Sequence, residues 1–108
     1  MREFSKKYGV IVVLKDAVTS VFAPDCKVFY TDFASPALAT AGSGDVLTGI
    51  ILGLLSQGYP SLHATLLGVY LHGTAGKRAA EHGSEEGTLA SDLIRALPAV
   101  FQHLARWD

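Results

Sequence analysis

The sequence predicts an α/β domain in which short strands come first and helices close the chain. Three observations predict it. Residues 8–14, Tyr-Gly-Val-Ile-Val-Val-Leu, form a continuous run rich in β-branched residues. Two further short runs, 19–23 and 27–30, flank Pro24-Asp25-Cys26, a tight-turn sequence. From residue 45 onward, apolar residues recur at helical spacing through three successive segments.

Composition narrows the class. The chain has 108 residues, the size of one domain at the small end for an α/β enzyme. Half of them are apolar and the net charge is −1, which argues against disorder and against a basic surface for nucleic acid. The single cysteine, Cys26, excludes an internal disulfide framework and a cysteine-based metal site. No signal peptide or membrane span is evident, because the longest apolar run, 50–55, is broken by Gly53 and far too short for a bilayer. A cytosolic, soluble chain is expected.

The elements follow in order. Residues 1–7 are charged and suit the last turns of a helix with Phe4 on its buried side. Residues 8–14 read as a strand buried on both faces, as in the middle of a parallel sheet. Lys15-Asp16 closes that strand. A charged pair at the carboxyl end of a strand lies where open α/β sheets bind ligands, and it equally suits a solvated strand end. The next two runs pair as an antiparallel hairpin. Residues 31–37 are a loop in which Pro36 holds Ser35 extended.

A helix is expected over 45–57, with Gly58 as its C-cap and Pro60 as a stop. Val46, Leu47, Ile50, Ile51, Leu54 and Leu55 form its apolar face, and Gly49 and Gly53 allow a neighbour to approach. A second helix spans 61–82, apolar nearly all round in its first half, with Lys77-Arg78 and Glu81 turned towards solvent. The last helix opens near Ala90, with Ser91 as N-cap and Asp92 in the first turn. Its stripe is Leu93, Ile94, Leu97, Val100, Phe101 and Leu104, with Pro98 inside and Trp107 packing at the end. His72 reads as a satisfied packing histidine. His63, His82 and His103 lack partners at metal spacing and read as surface residues.

The stretch with chemical potential is Ala39-Thr40-Ala41-Gly42-Ser43-Gly44-Asp45-Val46-Leu47-Thr48-Gly49, a small-residue loop that runs into the first long helix. Gly42 and Gly44 permit backbone angles that side chains forbid, so their amides can crowd around an anion at a helix N-terminus. Asp45 falls in the first turn. The helix dipole alone accounts for a carboxylate there. The sharper alternative is that an anion hole and an aspartate base share one turn.

The stretch 35–49, Ser-Pro-Ala-Leu-Ala-Thr-Ala-Gly-Ser-Gly-Asp-Val-Leu-Thr-Gly, resembles the signature Asn-Pro-x-Leu-Ala-Thr-x-Gly-Ser/Thr-Gly-Asp-x-Leu-Thr-Gly of the ribokinase-like ADP-dependent NAD(P)H-hydrate dehydratases. Val12-Val13-Leu14-Lys15 is similar to the family's strand ending in Leu-Lys-Gly. Gly68-Val69-Tyr70-Leu71-His72-Gly73 and Ala90-Ser91-Asp92-Leu93-Ile94 resemble its two closing helices. The resemblance covers essentially the whole chain.

It implies a ribokinase-like three-layer fold, here a C-terminal fragment of a few strands and an antiparallel hairpin followed by three helices. Residues 1–108 would be one partial nucleotide-binding domain. It also implies a repair reaction, in which the aberrant hydroxyl of hydrated NADH or NADPH is phosphorylated by ADP (or ATP) and then lost as phosphate. By the same resemblance, Lys15, Asp16, Ala17, Val18 and Thr19 line the nucleotide's phosphate and ribose. Ala41, Gly42, Ser43 and Gly44 hold the transferring phosphate, and Asp45 lies against the hydrated substrate as its base. Mg2+ arrives with the nucleotide, not in a dedicated metal site.

Three departures from the family pattern stand out. The family's domain is more than twice this length, so Met1 falls at an internal position of it. Asp16 stands where the family has Gly, and Ser35 where it has Asn. Two alternatives accompany the dehydratase reading. One is a sugar or vitamin-precursor kinase of the same superfamily. The other is a non-catalytic truncated fragment that self-associates through an unpaired sheet edge and uncovered helix faces, giving a homo-oligomer.

Overall fold

The computed structural model describes residues 1–15, 19–31, 42–83 and 89–105, without the side chains of 82 and 103–105. Its elements run α1 (Arg2–Tyr8), β1 (Val12–Leu14), β2 (Thr19–Phe22), β3 (Val28–Thr31), α2 (Ser43–Ser56), α3 (Ser61–His82) and α4 (Ala90–Ala105).

The expected buried parallel strand is a short antiparallel edge instead. The helix continues through Tyr8 and stops at Gly9, whose left-handed backbone (φ 62°) closes it by an N–H bond to the Ser5 carbonyl. Only Val12–Leu14 then pair, antiparallel to β2, with Val13 opposite Val21 and Leu14 already exposed. Phe4 also departs from expectation. It is half exposed and leans on the Tyr8 ring, 4.7 Å between centroids, while Ser5 is the buried residue of α1. The Ser5 hydroxyl shares its one proton between the carbonyls of Val10 (2.5 Å) and Phe22 (3.2 Å), tying α1 to the sheet. A small polar residue thus sits where periodicity favoured an aromatic, because the neighbouring strand ends offer carbonyls that need donors.

The predicted hairpin is present. β2 pairs with β3 in the register Val21 opposite Phe29, giving the sheet order β1-β2-β3. Its turn closes with Ala23 N–H on the Lys27 carbonyl, and the Asp25 carboxylate accepts from Lys27 N–H. Cys26 takes a positive φ of 69° in that turn and is exposed.

Helix α2 starts two residues before the predicted position, at Ser43, with Gly42 as N-cap at φ 85°. Its end is as expected from Gly58. Gly58 N–H bonds to Leu55, Tyr59 N–H to Leu54, and Gly58 takes φ 95°, the pattern of a Schellman cap. Leu47, Ile50 and Leu54 are buried, whereas Leu55, expected on the same face, is more than a third exposed. Two clusters meet on this helix. Ile50 and Leu54 pack with Ala64, Leu71, Ala75 and Val100, and Leu47 packs with Val21 and Val69 over the sheet.

The close helix–helix approach is not at Gly49 or Gly53, which have open space where a Cβ would stand. It is at Gly68 of α3, where a Cβ would lie 2.5 Å from Ile51 Cγ1. That contact sets α3 against α2 and, one turn further on, brings His72 to the start of α2.

In α4 the cap is Leu89, not Ser91. Leu89 N–H donates to the Asp92 carboxylate (2.8 Å) while Asp92 N–H returns to the Leu89 carbonyl. Asp92 therefore does the reciprocal half of a capping box. Leu93 and Val100 are buried as expected, with Pro98 inside the helix. Ile94 and Phe101 are about half exposed. The loop expectation for 31–37 falls almost wholly outside the described residues, as does Trp107.

Candidate functional site

The helix α2 start gathers the chemistry. Its first intrahelical bond is Val46 N–H to the Gly42 carbonyl, 3.1 Å. The amides of Ser43, Gly44 and Asp45 precede that bond, so the helix itself supplies them no acceptor. Among the described residues no side chain caps this end. Three donors and the positive end of a 14-residue helix thus meet at one point.

A cation stands beside them. Lys15, at the end of β1, reaches over so that its Nζ lies 3.8 Å from the position a Gly44 Cβ would occupy. The strand end that reads from sequence as either a ligand site or a solvated end is therefore brought to the Gly-rich turn. Gly42 serves the opposite side. Its φ of 85° disfavours any side chain, and a Cβ there would lie 3.2 Å from Ala90 Cβ at the start of α4. Asp45 is exposed in the first turn and, with Val46, Gly49, Leu97 and Phe101, lines an apolar cleft of about 460 Å³ between α2 and α4.

Thr19, at the first position of β2, is half-buried opposite Thr31 and shares the Lys15 end of the sheet. Lys15, Gly42, Ser43, Gly44 and Asp45 are the predicted residues that converge. Asp16, Ala17, Val18 and Ala41 lie outside the described residues.

One member of the site was read from sequence only as a packing residue. His72 of α3 is 3% exposed, and its Nε2 lies 3.0 Å from the Ser43 carbonyl and 2.9 Å from Ser43 Oγ. A carbonyl can only accept, so the ring proton sits on Nε2 and the hydroxyl oxygen is its second acceptor. Burial lowers the His72 pKa from 6.5 to about 4, the nearby Lys15 charge lowers it further within that shift, and the bond to the Ser43 carbonyl opposes both. His72 is therefore neutral at physiological pH, and the positive charge of the site resides on Lys15. Ser43 and His72 are 29 residues apart, and no local motif connects them.

The donor set fits an anion with several oxygens. Among the described residues no three His, Cys, Asp or Glu side chains cluster as a metal site, and no helix is long and apolar enough to cross a membrane.

Comparison with known proteins places the chain in a family. The family model for NAD(P)H-hydrate dehydratase matches residues 1–99. The bifunctional NAD(P)H-hydrate repair enzyme Nnr of Moorella thermoacetica is 42% identical over 102 residues, covering 94% of this chain and 19% of that protein. The ADP-dependent (S)-NAD(P)H-hydrate dehydratase of Neisseria meningitidis is 40% identical over 108 residues, 99% of this chain and 34% of its own. In structure, the ADP/ATP-dependent NAD(P)H-hydrate dehydratase of Bacillus subtilis, co-crystallized with ATP/Mg2+, superposes with a TM-score of 0.88 at 34% identity, covering 94% of this chain and 37% of that one. The chain thus spans about a fifth to a third of the length of these curated relatives. The three-stranded antiparallel sheet and the helices that follow it are part of a ribokinase-like fold, and the chain belongs to the NAD(P)H-hydrate dehydratase family, of which it is the C-terminal, ribokinase-like part.

Proposed function

We propose that this chain serves the ADP-dependent dehydration of hydrated NADH or NADPH. The observation that carries the reading is one juxtaposition. The first turn of α2 carries three amides that the helix leaves unpaired and the Asp45 side chain, and the Lys15 ammonium stands beside it at Gly44. Phosphoryl transfer needs positioning and charge stabilisation more than covalent chemistry from the protein. The amides of residues 41–45 hold the transferring phosphate, and Lys15 offsets its charge. Residues 15–19 line the nucleotide's phosphate and ribose. Mg2+ comes with the nucleotide and neutralises its oxygens. Residues 1–108 act as one partial ribokinase-like nucleotide-binding domain.

Asp45 accepts the proton of the ring hydroxyl as that oxygen bonds to phosphorus, and the P–O bond to AMP breaks. Inorganic phosphate then leaves with the C–O electron pair. A proton from the adjacent ring carbon leaves too, which restores the double bond of the reduced nicotinamide. The products are AMP, phosphate and NAD(P)H.

Isothermal titration of ADP with Mg2+ tests the binding half. Binding that is lost in Gly44→Val and kept in Asp45→Asn is the expected result. Absence of binding by the folded wild-type chain refutes it.

A second reading rests on exposed apolar side chains. Leu52, Leu89 and Ile94 are each more than half exposed, apolar surface that a second copy of the chain would cover. It makes the chain a homo-oligomer, and a monodisperse monomer by light scattering at micromolar concentration refutes that.

A further inference from the structure

We propose that His72 is a positioning residue for the phosphate turn: its Nε2–H holds Ser43 by main-chain and side-chain oxygens together, and so fixes where the amides of Ser43, Gly44 and Asp45 point. The proposal rests on the functional reading above, because the anion it serves is the one proposed there.

Three observations carry it. First, α2 begins without a side-chain cap, and Gly42, its N-cap, has neither a side chain nor a restricted backbone. Among the described residues, no side chain of the turn itself sets its direction. Second, Ser43 occupies the first helical position, yet its hydroxyl is turned inward, and the residue is only 2% exposed. It is engaged by His72 from another helix, so it does not compete with an incoming anion for the free amides. Third, His72 lies one turn after Gly68, where α3 presses against Ile51. The imidazole is thereby held on a rigid helix–helix contact, not on a loop. A donor mounted in this way aims the amides before any ligand arrives, which lowers the ordering cost of binding.

The charge arrangement agrees. Lys15 is the charged group that acts on His72 across the turn, and a neutral ring leaves that ammonium to the anion.

The discriminating variants differ in one atom's chemistry. Glutamine places an amide nitrogen three bonds beyond Cβ, the same topological position as the histidine Nε2, so His72→Gln keeps the donor. His72→Leu fills similar volume without it. Ser43→Ala removes the hydroxyl oxygen and keeps the carbonyl acceptor. In the full 108-residue chain, ADP affinity is measured by titration calorimetry, the amide signals of residues 43–46 by NMR, and Tm for each variant.

The expected result is a loss of about tenfold or more in ADP affinity for His72→Leu, the size of one buried hydrogen bond. The 43–46 amide signals shift in parallel. His72→Gln stays within about threefold of wild type on the same scale, and Ser43→Ala falls between. A folded His72→Leu chain that binds ADP as wild type does overturns the proposal and leaves the functional reading standing. Should His72→Leu not fold, a folded His72→Gln chain that has lost ADP binding overturns it equally, because that variant retains the donor. Failure of the wild-type chain to bind ADP sinks the functional reading. The positioning claim then falls too if the amide signals are also unmoved in the variants.

Discussion

His72 makes the stability of this chain depend on pH in a defined window. In the folded state its pKa is lowered from 6.5 to about 4, first by burial and second by the charge of Lys15, against the opposing bond to the Ser43 carbonyl. Between those two values the unfolded chain binds a proton that the folded chain does not. Unfolding is therefore favoured by acid, and stability rises as pH rises from about 4 to 6.5, then levels off. The interval of 6.5 minus 4 pH units corresponds to about 3 kcal/mol. That is a large share of the roughly 5–15 kcal/mol typical of a domain.

Urea unfolding at half-unit steps from pH 4 to 7.5 measures this, for wild type and for His72→Gln. Carboxylates titrate in both chains, so the difference between the two curves isolates the imidazole. The wild-type curve should gain about 3 kcal/mol more than the variant across the window. Most of the gain should lie above pH 5, where few carboxylates still titrate. Parallel curves would refute the reasoning, since they would mean that the ring protonates as readily in the folded chain as in the unfolded one. Lys15→Met should make the difference smaller, because one of the two lowering influences is gone. An NMR titration of the imidazole in that variant gives the shift directly.

Other consequences are equally specific. Gly68→Ala places a Cβ against Ile51 and should destabilise the chain by about 1–3 kcal/mol in urea unfolding, with partial rescue by Ile51→Val. Because Gly68 also sets the distance from His72 to Ser43, the same variant should move the residue 43–46 amide signals. Lys15→Met should weaken ADP binding by about tenfold and flatten its salt dependence, as loss of one charge-assisted contact does. Titration at two salt concentrations checks both. Asp92→Ala leaves Leu89 N–H without its acceptor and should cost about 1 kcal/mol, read as a lowered urea midpoint with an unchanged m-value.

What sequence reading recovered follows from the range of each interaction. The hairpin and helices α2 and α3 were predicted within about two residues, because turn chemistry and 3.6-residue periodicity are local. The Gly42-Ser43-Gly44-Asp45 turn was recognised for the same reason. Lys15 was placed at a strand end, which bounds where it can reach. The errors concern neighbours. A β-branched run does not say whether a second strand covers it, so residues 8–14 looked like a central strand when only Val12–Leu14 pair, at an edge. Glycines in a helix announce that approach is permitted and not where it happens, so Gly49 and Gly53 drew attention that belonged to Gly68. Ile94 and Phe101 fit the apolar stripe of α4 yet line an open cleft with Asp45. The bond from His72 to Ser43 joins residues distant in sequence on two helices, and only the packing of those helices reveals it.

The central claim is that Asp45 and the amide turn before it carry out a phosphoryl transfer. The direct measurement is recovery of reduced-nicotinamide absorbance from hydrated NADH, with ADP and Mg2+, by wild type and by Asp45→Asn at matched, saturating nucleotide. The account predicts turnover by wild type that is dependent on ADP. It also predicts a loss of about 100-fold or more in Asp45→Asn with ADP binding retained, the magnitude of a removed general base. Equal rates in the two chains would contradict it, as would a wild-type chain that binds ADP and turns nothing over.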